Sequence, residues 1–247
     1  MATRLGFRPG IYRLPFRESR RETPTSRTFR FGLEGTEFRY RPNQFIALGL
    51  PGVNDPWGPF RRFSLSSSPT ETEAIAITTK MTGSPYKERL ASLERGKEVE
   101  VRGPMGGFIL EETRPAAMIA GGVGISPFRG MIRYAFDRGL ATPIVLLYSA
   151  RVPEEFAFAA ELDAVARKGD ALRMHYTVTR PEESTVAWTG RTGRIDASLI
   201  REAEAGLRNP LYYACGTPAL VQGVVTLLLR ELQVPADDIR IERFMGY

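Results

Sequence analysis

The chain has 247 residues and a mass of 27.6 kDa, with 43% hydrophobic and 25% charged residues, which excludes a largely disordered chain and suits two cores better than one. Cys215 is the only cysteine and His175 the only histidine. That excludes an internal disulfide, a four-cysteine zinc site, an iron–sulfur cluster held by this chain alone and a histidine-rich metal site. The net charge of +6 is uneven: residues 1–112 carry 18 Lys+Arg against 13 Asp+Glu, and residues 113–247 carry 16 against 15.

In chain order, residues 10–16, 25–33, 43–50, 61–67, 73–80 and 98–102 read as short strands. Several alternate polar and apolar residues, as at Phe29, Phe31 and Leu33. Turn-rich stretches such as residues 51–59 separate them, and one helix is predicted over residues 85–93. Six short strands and one helix predict an antiparallel β-barrel for residues 1–112. The grammar then changes. Strands at 116–120, 144–149, 172–179, 211–214 and 239–243 alternate with helices at 127–137, 154–167 and 218–232. This predicts an α/β doubly wound parallel sheet for residues 113–247, and the charged stretch 111–115 places the boundary. No apolar run approaches the roughly 18 residues that span a bilayer, and charges break up the first 30 residues. A soluble, cytoplasmic, monomeric protein with no membrane span is the expectation. Four lysines among 34 basic residues, with no lysine-rich run and no nucleic-acid-binding signature, argue against nucleic acid as the partner of the basic half.

Chemistry concentrates at six places. Gly121-Gly122-Val123-Gly124-Ile125-Ser126-Pro127 follows an apolar strand and opens a helix, where bare backbone and free N–H groups seat an anion. Arg61-Arg62-Phe63-Ser64 offers a phosphate clamp, an aromatic face and a hydroxyl. Lys80-Met81-Thr82-Gly83-Ser84-Pro85 reads either as a second anion seat or as an ordinary Ser cap with Pro behind it. Gly103-Pro104-Met105-Gly106 reads as a turn. Cys215-Gly216-Thr217-Pro218 ends a strand at the edge where open α/β sheets bind ligands. Glu242-Arg243-Phe244 stands three residues from the C-terminal Tyr247.

Any one of these is weak; their order is not. Arg-x-aromatic-Ser, Gly-Ser before a helix, Gly-Pro-x-Gly, Gly-Gly-x-Gly-Ile-x-Pro, Cys-Gly-x-Pro and a final Glu-x-Phe together resemble the ferredoxin–NADP⁺ reductase superfamily from about residue 10 to the end. The resemblance implies a barrel that binds FAD and a sheet domain that binds NAD(P)H. It implies that Arg61 clamps the FAD pyrophosphate, Phe63 lies on the isoalloxazine and Ser64 sits near flavin N5. It further implies that Lys80, Gly83 and Ser84 seat the pyrophosphate from the other side. Gly121, Gly122, Gly124 and Gly216 would cradle the nicotinamide nucleotide, and Cys215 and Glu242 would flank its ring. Ser64, Cys215, Glu242 and Phe244 are the expected catalytic set, with Phe244 covering the flavin face and moving aside for the nicotinamide. The chain departs from the plant-type pattern at Phe63, where Tyr is usual, at Thr217, and in the three residues after Phe244, which leave Tyr247 to reach toward the adenine. Ser149 and Arg151 follow the second parallel strand and Arg180 follows the third. With no carboxylate there, and with Arg180 similar to an Arg of NADP-using relatives, NADPH is expected over NADH. The implied activity passes electrons from NAD(P)H through flavin to an acidic protein carrier: a ferredoxin, a flavodoxin or an oxygenase component. A reductase of small acceptors and a non-catalytic nucleotide-binding module are the alternatives.

Overall fold

The computed structural model describes residues 9–245. Its first sheet contains β1 (Gly10–Arg21), β2 (Ser26–Gly32), β3 (Phe45–Gly49), β4 (Phe60–Ser64), β5 (Ala74–Lys80) and β6 (Glu98–Met105), with α1 (Pro85–Ala91) between the last two. The strand order is β4-β3-β6-β1-β2-β5, antiparallel throughout. Strand β1 is longer than the sequence suggests because it serves two neighbours. Residues 10–15 pair with β6; a register shift between Phe16 and Glu18 then turns the strand toward β2. A shift of this kind is how a sheet bends into a barrel. The two edges nearly meet: Leu65 bridges Ile77 and Ser66 N–H donates to the Ala76 carbonyl at 2.9 Å, so little edge is left unpaired. The alternation read from the sequence fills the interior with Leu14, Phe29, Phe31, Ile46, Leu48, Ile75, Ile77 and Val101. Tyr86 and Leu90 of α1 plug one end, with the Tyr86 hydroxyl donating to the Leu48 carbonyl at 2.7 Å.

The second sheet contains β7 (Ala116–Gly121), β8 (Ile144–Ala150), β9 (Leu172–Val178), β10 (Arg191–Thr192), β11 (Leu211–Gly216) and β12 (Ile239–Arg243). All are parallel, in the order β10-β9-β8-β7-β11-β12. Every residue of β8 is buried, as a strand covered on both faces requires. Met118, Ala120, Leu146 and Tyr148 face a layer with α2 (Ser126–Asp137) and α3 (Ala159–Ala166). Ala117, Ile119, Val145 and Leu147 face α4 (Ala197–Glu204) and α5 (Pro218–Thr226). Two elements were not read from the sequence: β10, only two residues long, and α4. The helix expected over 154–167 is shorter and begins at Ala159, after Phe158 takes a left-handed φ of 61°. The one expected over 218–232 gives way at Leu227 to a wider turn through Glu231.

The sheet packs on the barrel through α2. Gly130 lies so close to the 65–67 segment that a β-carbon there would stand 2.8 Å from the Ser67 carbonyl oxygen. Beside it the half-buried Arg129 pairs with Glu71 of the barrel and, at 2.7 Å, with Glu161 of α3. The chain leaves β7 toward β8, β9 and β10 on one side and returns to β11 and β12 on the other. The reversal therefore falls between β7 and β11, and a crevice opens at their carboxyl ends.

Candidate functional site

A cavity of about 970 Å³ lies between that crevice and the barrel wall formed by β4, β5 and α1. From the sheet come Gly121, Gly122, Ser149, Arg151, Gly216, Thr217, Glu242 and Phe244; from the barrel come Arg61, Phe63, Ser64, Thr78, Thr79, Lys80 and Lys87. Two glycine turns form the floor. A β-carbon on Gly121 would meet Leu220 at 2.3 Å, and one on Gly124 would stand 2.4 Å from the Cys215 carbonyl oxygen. Glycine at 124 therefore lets the turn after β7 press against the end of β11. Gly122, at a φ of +52°, has nothing within 4 Å of its missing side chain. Gly124 is thus part of the support behind the floor and is not among the lining residues.

The two halves of the molecule join at Glu242. Ser64 Oγ donates to its Oε2 at 2.9 Å, and Asn43 Nδ2 lies 3.4 Å from the same oxygen while donating to the Phe108 carbonyl at 2.8 Å. Burial raises the Glu242 pKa, and the hydrogen bonds from Ser64 and Asn43 oppose it. Across the β11–β12 ladder Glu242 is paired with Cys215. Cys215 is fully buried in the sheet core and does not line the cavity, and burial, reinforced by the Glu242 charge, pushes its thiol well above the usual range. Next in the chain, Phe244 donates its N–H to the Gly216 carbonyl at 2.8 Å, which ties the C-terminal segment across the end of β11. Tyr247 lies outside the described residues.

The barrel wall carries two buried cations, Arg61 and Lys87, beside the exposed Arg62 and Lys80. Arg61 is 4% exposed at its side chain, ion-paired with an equally buried Asp55, and donates to the carbonyls of Trp57, Gly58 and Phe60 at 2.8–3.0 Å. Its guanidinium is stitched to the 55–60 turn and does not stand open in the cavity as a simple clamp would. Lys87, which the sequence reading passed over, is buried with its Nζ 4.5 Å from the centre of the Phe63 ring and bonded to Thr79 Oγ1. Burial, with Arg61 nearby, lowers its pKa to about 7. Nothing in Pro-Tyr-Lys-Glu-Arg-Leu distinguishes this lysine from a solvated one; only the seating of α1 on the barrel turns it inward. Gly83 and Ser84 do not line the cavity. Ser84 caps α1, accepting from the Lys87 N–H at 3.4 Å, and Lys80, Thr82 and Lys87 form that part of the wall.

At the far end, Arg151 lines the cavity, paired with Glu183 and largely exposed. Arg180 is 60% exposed, 3.7 Å from Glu182, and outside the lining. Arg194, which the sequence reading did not select, lines the cavity because Thr192 pairs with Val178 and brings the 193–195 turn back over the sheet edge. Among the described residues no group of His, Cys, Asp or Glu is placed to hold a metal ion, and no helix is long and apolar enough to cross a membrane.

Comparison with known proteins places the fold and the family. Residues 118–226 match the oxidoreductase NAD-binding domain. Ferredoxin–NADP reductase B of Sorangium cellulosum is 31% identical over 220 residues, 85% of this chain and 88% of that protein. The glycine betaine monooxygenase reductase subunit of Chromohalobacter salexigens is 28% identical over 212 residues, and this chain spans only 57% of its length. Two solved structures share the fold. An Amycolatopsis cytochrome P450 reductase has a TM-score of 0.80 at 21% identity, over 95% of this chain and 70% of that one. A Neisseria gonorrhoeae ferredoxin NADP⁺ reductase with bound FAD and NADP has a TM-score of 0.76 at 20% identity, over 96% of this chain and 99% of that one. The similarity to the Sorangium protein covers most of both chains, and this chain belongs to the ferredoxin–NADP reductase family of oxidoreductases.

Proposed function

We propose that this chain takes a hydride from NAD(P)H onto a bound FAD and passes the electrons to a protein carrier. The observation that carries the reading is the meeting of Ser64, Glu242 and the Gly121 and Gly216 turns in one cavity, with two buried cations along its barrel wall. The lining fits a dinucleotide cofactor. Its size is at the upper end of usual ligand pockets, and hydroxyls at Thr23, Thr25, Ser26, Thr78 and Thr79 suit ribityl and phosphate oxygens. Arg61 and Lys87 supply positive charge where a pyrophosphate needs it. FAD, when bound, supplies the two-electron to one-electron conversion that no side chain performs.

The residues do the rest. Lys80, Lys87 and, once exchanged from Asp55, Arg61 hold the pyrophosphate. Phe63 packs against the ring system. Ser64 and Glu242 set the polar environment at the hydride-transfer edge. The backbone of Gly121, Gly122 and Gly216 lets the nicotinamide nucleotide lie against the strand ends. Phe244 excludes water from the cavity and yields to the nicotinamide. Cys215 stays a neutral thiol behind that position and shapes its back wall. Arg151, with Arg194 also in the lining and Arg180 outside it, favours the 2′-phosphate of NADPH, since an arginine meets a phosphate with planar, bidentate geometry.

The carrier is read as acidic because the excess of positive charge lies in residues 1–112. The test is an acceptor comparison with the purified, FAD-loaded protein. Anaerobic bleaching by NADPH, followed by rapid reduction of an acidic ferredoxin or flavodoxin, is the expected result. The carrier rate should fall several-fold between low salt and roughly 0.3 M salt, where charges on the two proteins no longer feel each other at a distance. Reduction of a small neutral quinone should barely change. Faster turnover with the quinone, or an equal salt response for both, would assign the chain to small acceptors.

A further inference from the structure

Asn43 stands at the junction of the two halves, just before β3, and is held there on unfavourable terms. It is 1% exposed and takes a left-handed φ of 68°. Its Oδ1 is buried without a hydrogen-bond partner. Asparagine and glycine both adopt this backbone, but glycine would bury no unsatisfied oxygen, so the turn alone does not require the amide. What the amide contributes is its Nδ2, which donates to the Phe108 carbonyl at 2.8 Å and lies 3.4 Å from Glu242 Oε2, the oxygen that also receives the Ser64 hydroxyl. A buried unpaired oxygen on a residue that reaches a half-buried carboxylate of the cavity wall calls for an explanation beyond the turn.

We propose that Asn43 is a positioning residue: its side-chain amide holds the Glu242 carboxylate against Ser64 and anchors both to the Phe108 backbone, so that β12 presents Glu242 at one place on the barrel rim. The assignment rests on the reading that puts Glu242 at the hydride-transfer edge. Among the described residues, the groups that face the Glu242 carboxylate are Ser64 on β4, Asn43 before β3 and Cys215 on β11; of these Cys215 alone is titratable, and it remains protonated. A donor removed from a buried carboxylate leaves the ionised form less stabilised, so the carboxyl should then hold its proton to higher pH.

The experiment follows Glu242 itself. The FAD-loaded full chain, labelled with ¹³C at glutamate carboxyls, is titrated, and the Glu242 resonance is the one lost in Glu242→Gln. In Asn43→Gly, a change the backbone tolerates, the Glu242 midpoint should rise by about one pH unit. The pH profile of flavin reduction by NADPH should move with it, while KM for NADPH stays within twofold. Asn43→Asp places a second carboxylate beside the first and should raise the midpoint further; it decides the matter if the glycine variant does not fold. A Glu242 midpoint unmoved in the folded variant overturns the proposal. The two readings fail separately. Wild-type flavin reduction in Glu242→Gln would remove Glu242 from the hydride-transfer edge, whereas the titration reports directly on the contact between Asn43 and Glu242.

Discussion

The two walls of the cavity differ in that only the barrel side buries cations; its Arg62 and Lys80 are exposed like the arginines opposite. On the barrel side, Arg61, Asp55 and Lys87 are all buried, and the Arg61 guanidinium is surrounded by three carbonyls and a carboxylate. On the sheet side, Arg151 is 63% and Arg180 60% exposed at the side chain, each beside a glutamate in water. Buried charges interact strongly and are costly to rearrange; exposed pairs contribute little and exchange partners freely. That contrast suits a cofactor that stays and a substrate that comes and goes. It also means that substitutions on the two walls should differ in kind: barrel-side changes should disturb folding and cofactor retention together, and sheet-side changes should alter only nucleotide choice.

The largest effect is expected at Arg61. Arg61→Ala leaves Asp55 buried without its cation, so the variant should lose most of its FAD and also melt on the order of 10 °C lower than wild type. Asp55→Asn in the same chain should restore much of the melting temperature and none of the FAD affinity. Calorimetry and flavin content of the single and double variants check this. A single variant as stable as wild type would show that the buried pair is not the support the geometry describes, and the contrast between the walls would weaken.

A smaller effect, with a definite sign, belongs to Lys87. Its pKa is lowered in the fold to about 7 by burial. Between that value and the ordinary lysine range the unfolded chain binds a proton that the folded chain does not, so stability gains as pH rises through this window. Below about pH 7 the full penalty of a buried charge is present. The flavin-free protein should therefore melt at a higher temperature at pH 9 than at pH 7. Lys87→Met should flatten this rise, raise the melting temperature at pH 7 and weaken FAD binding. A Lys87→Met variant with the wild-type pH slope would mean that the amine reaches water.

The smallest effects lie on the exposed wall. Arg151→Ala should cost roughly tenfold in kcat/KM with NADPH, little with NADH, and nothing measurable in melting temperature. Arg180→Ala should cost less, because Arg180 lies outside the cavity lining. Steady-state kinetics with both nucleotides decide it. Equal losses with NADPH and NADH would remove Arg151 from 2′-phosphate recognition, and a stability loss would make this wall structural like the other.

Most strands and the long α2 were legible because their signals are local. Alternation at Phe29 and Phe31 gives one face of β2, and an unbroken apolar run gives β8. Helix α4 has a weak local signal, although Asp196 caps it by accepting from Leu199 N–H at 2.7 Å. Its single turn-and-a-half of pattern, Leu199, Ile200 and Ala203, follows a polar stretch and gains meaning only against β8 and the turn after α5.

By itself the sequence determined the two-part organisation, the glycine turn after β7 and the presence of Ser64, Glu242 and Phe244 in the right order, since each depends on residue type and near-neighbour spacing. Only the tertiary structure decided how the cations stand toward the cavity. Arg61 lines it while turned to Asp55, Arg180 fell outside the lining, and Lys87 and Arg194 took places within it. Nor does the sequence show that Asn43 meets Glu242, since 199 residues separate them. A long charged side chain has several partners within reach of its rotamers. Which one it takes depends on what the closure of the barrel and the seating of α2 on its wall bury around it.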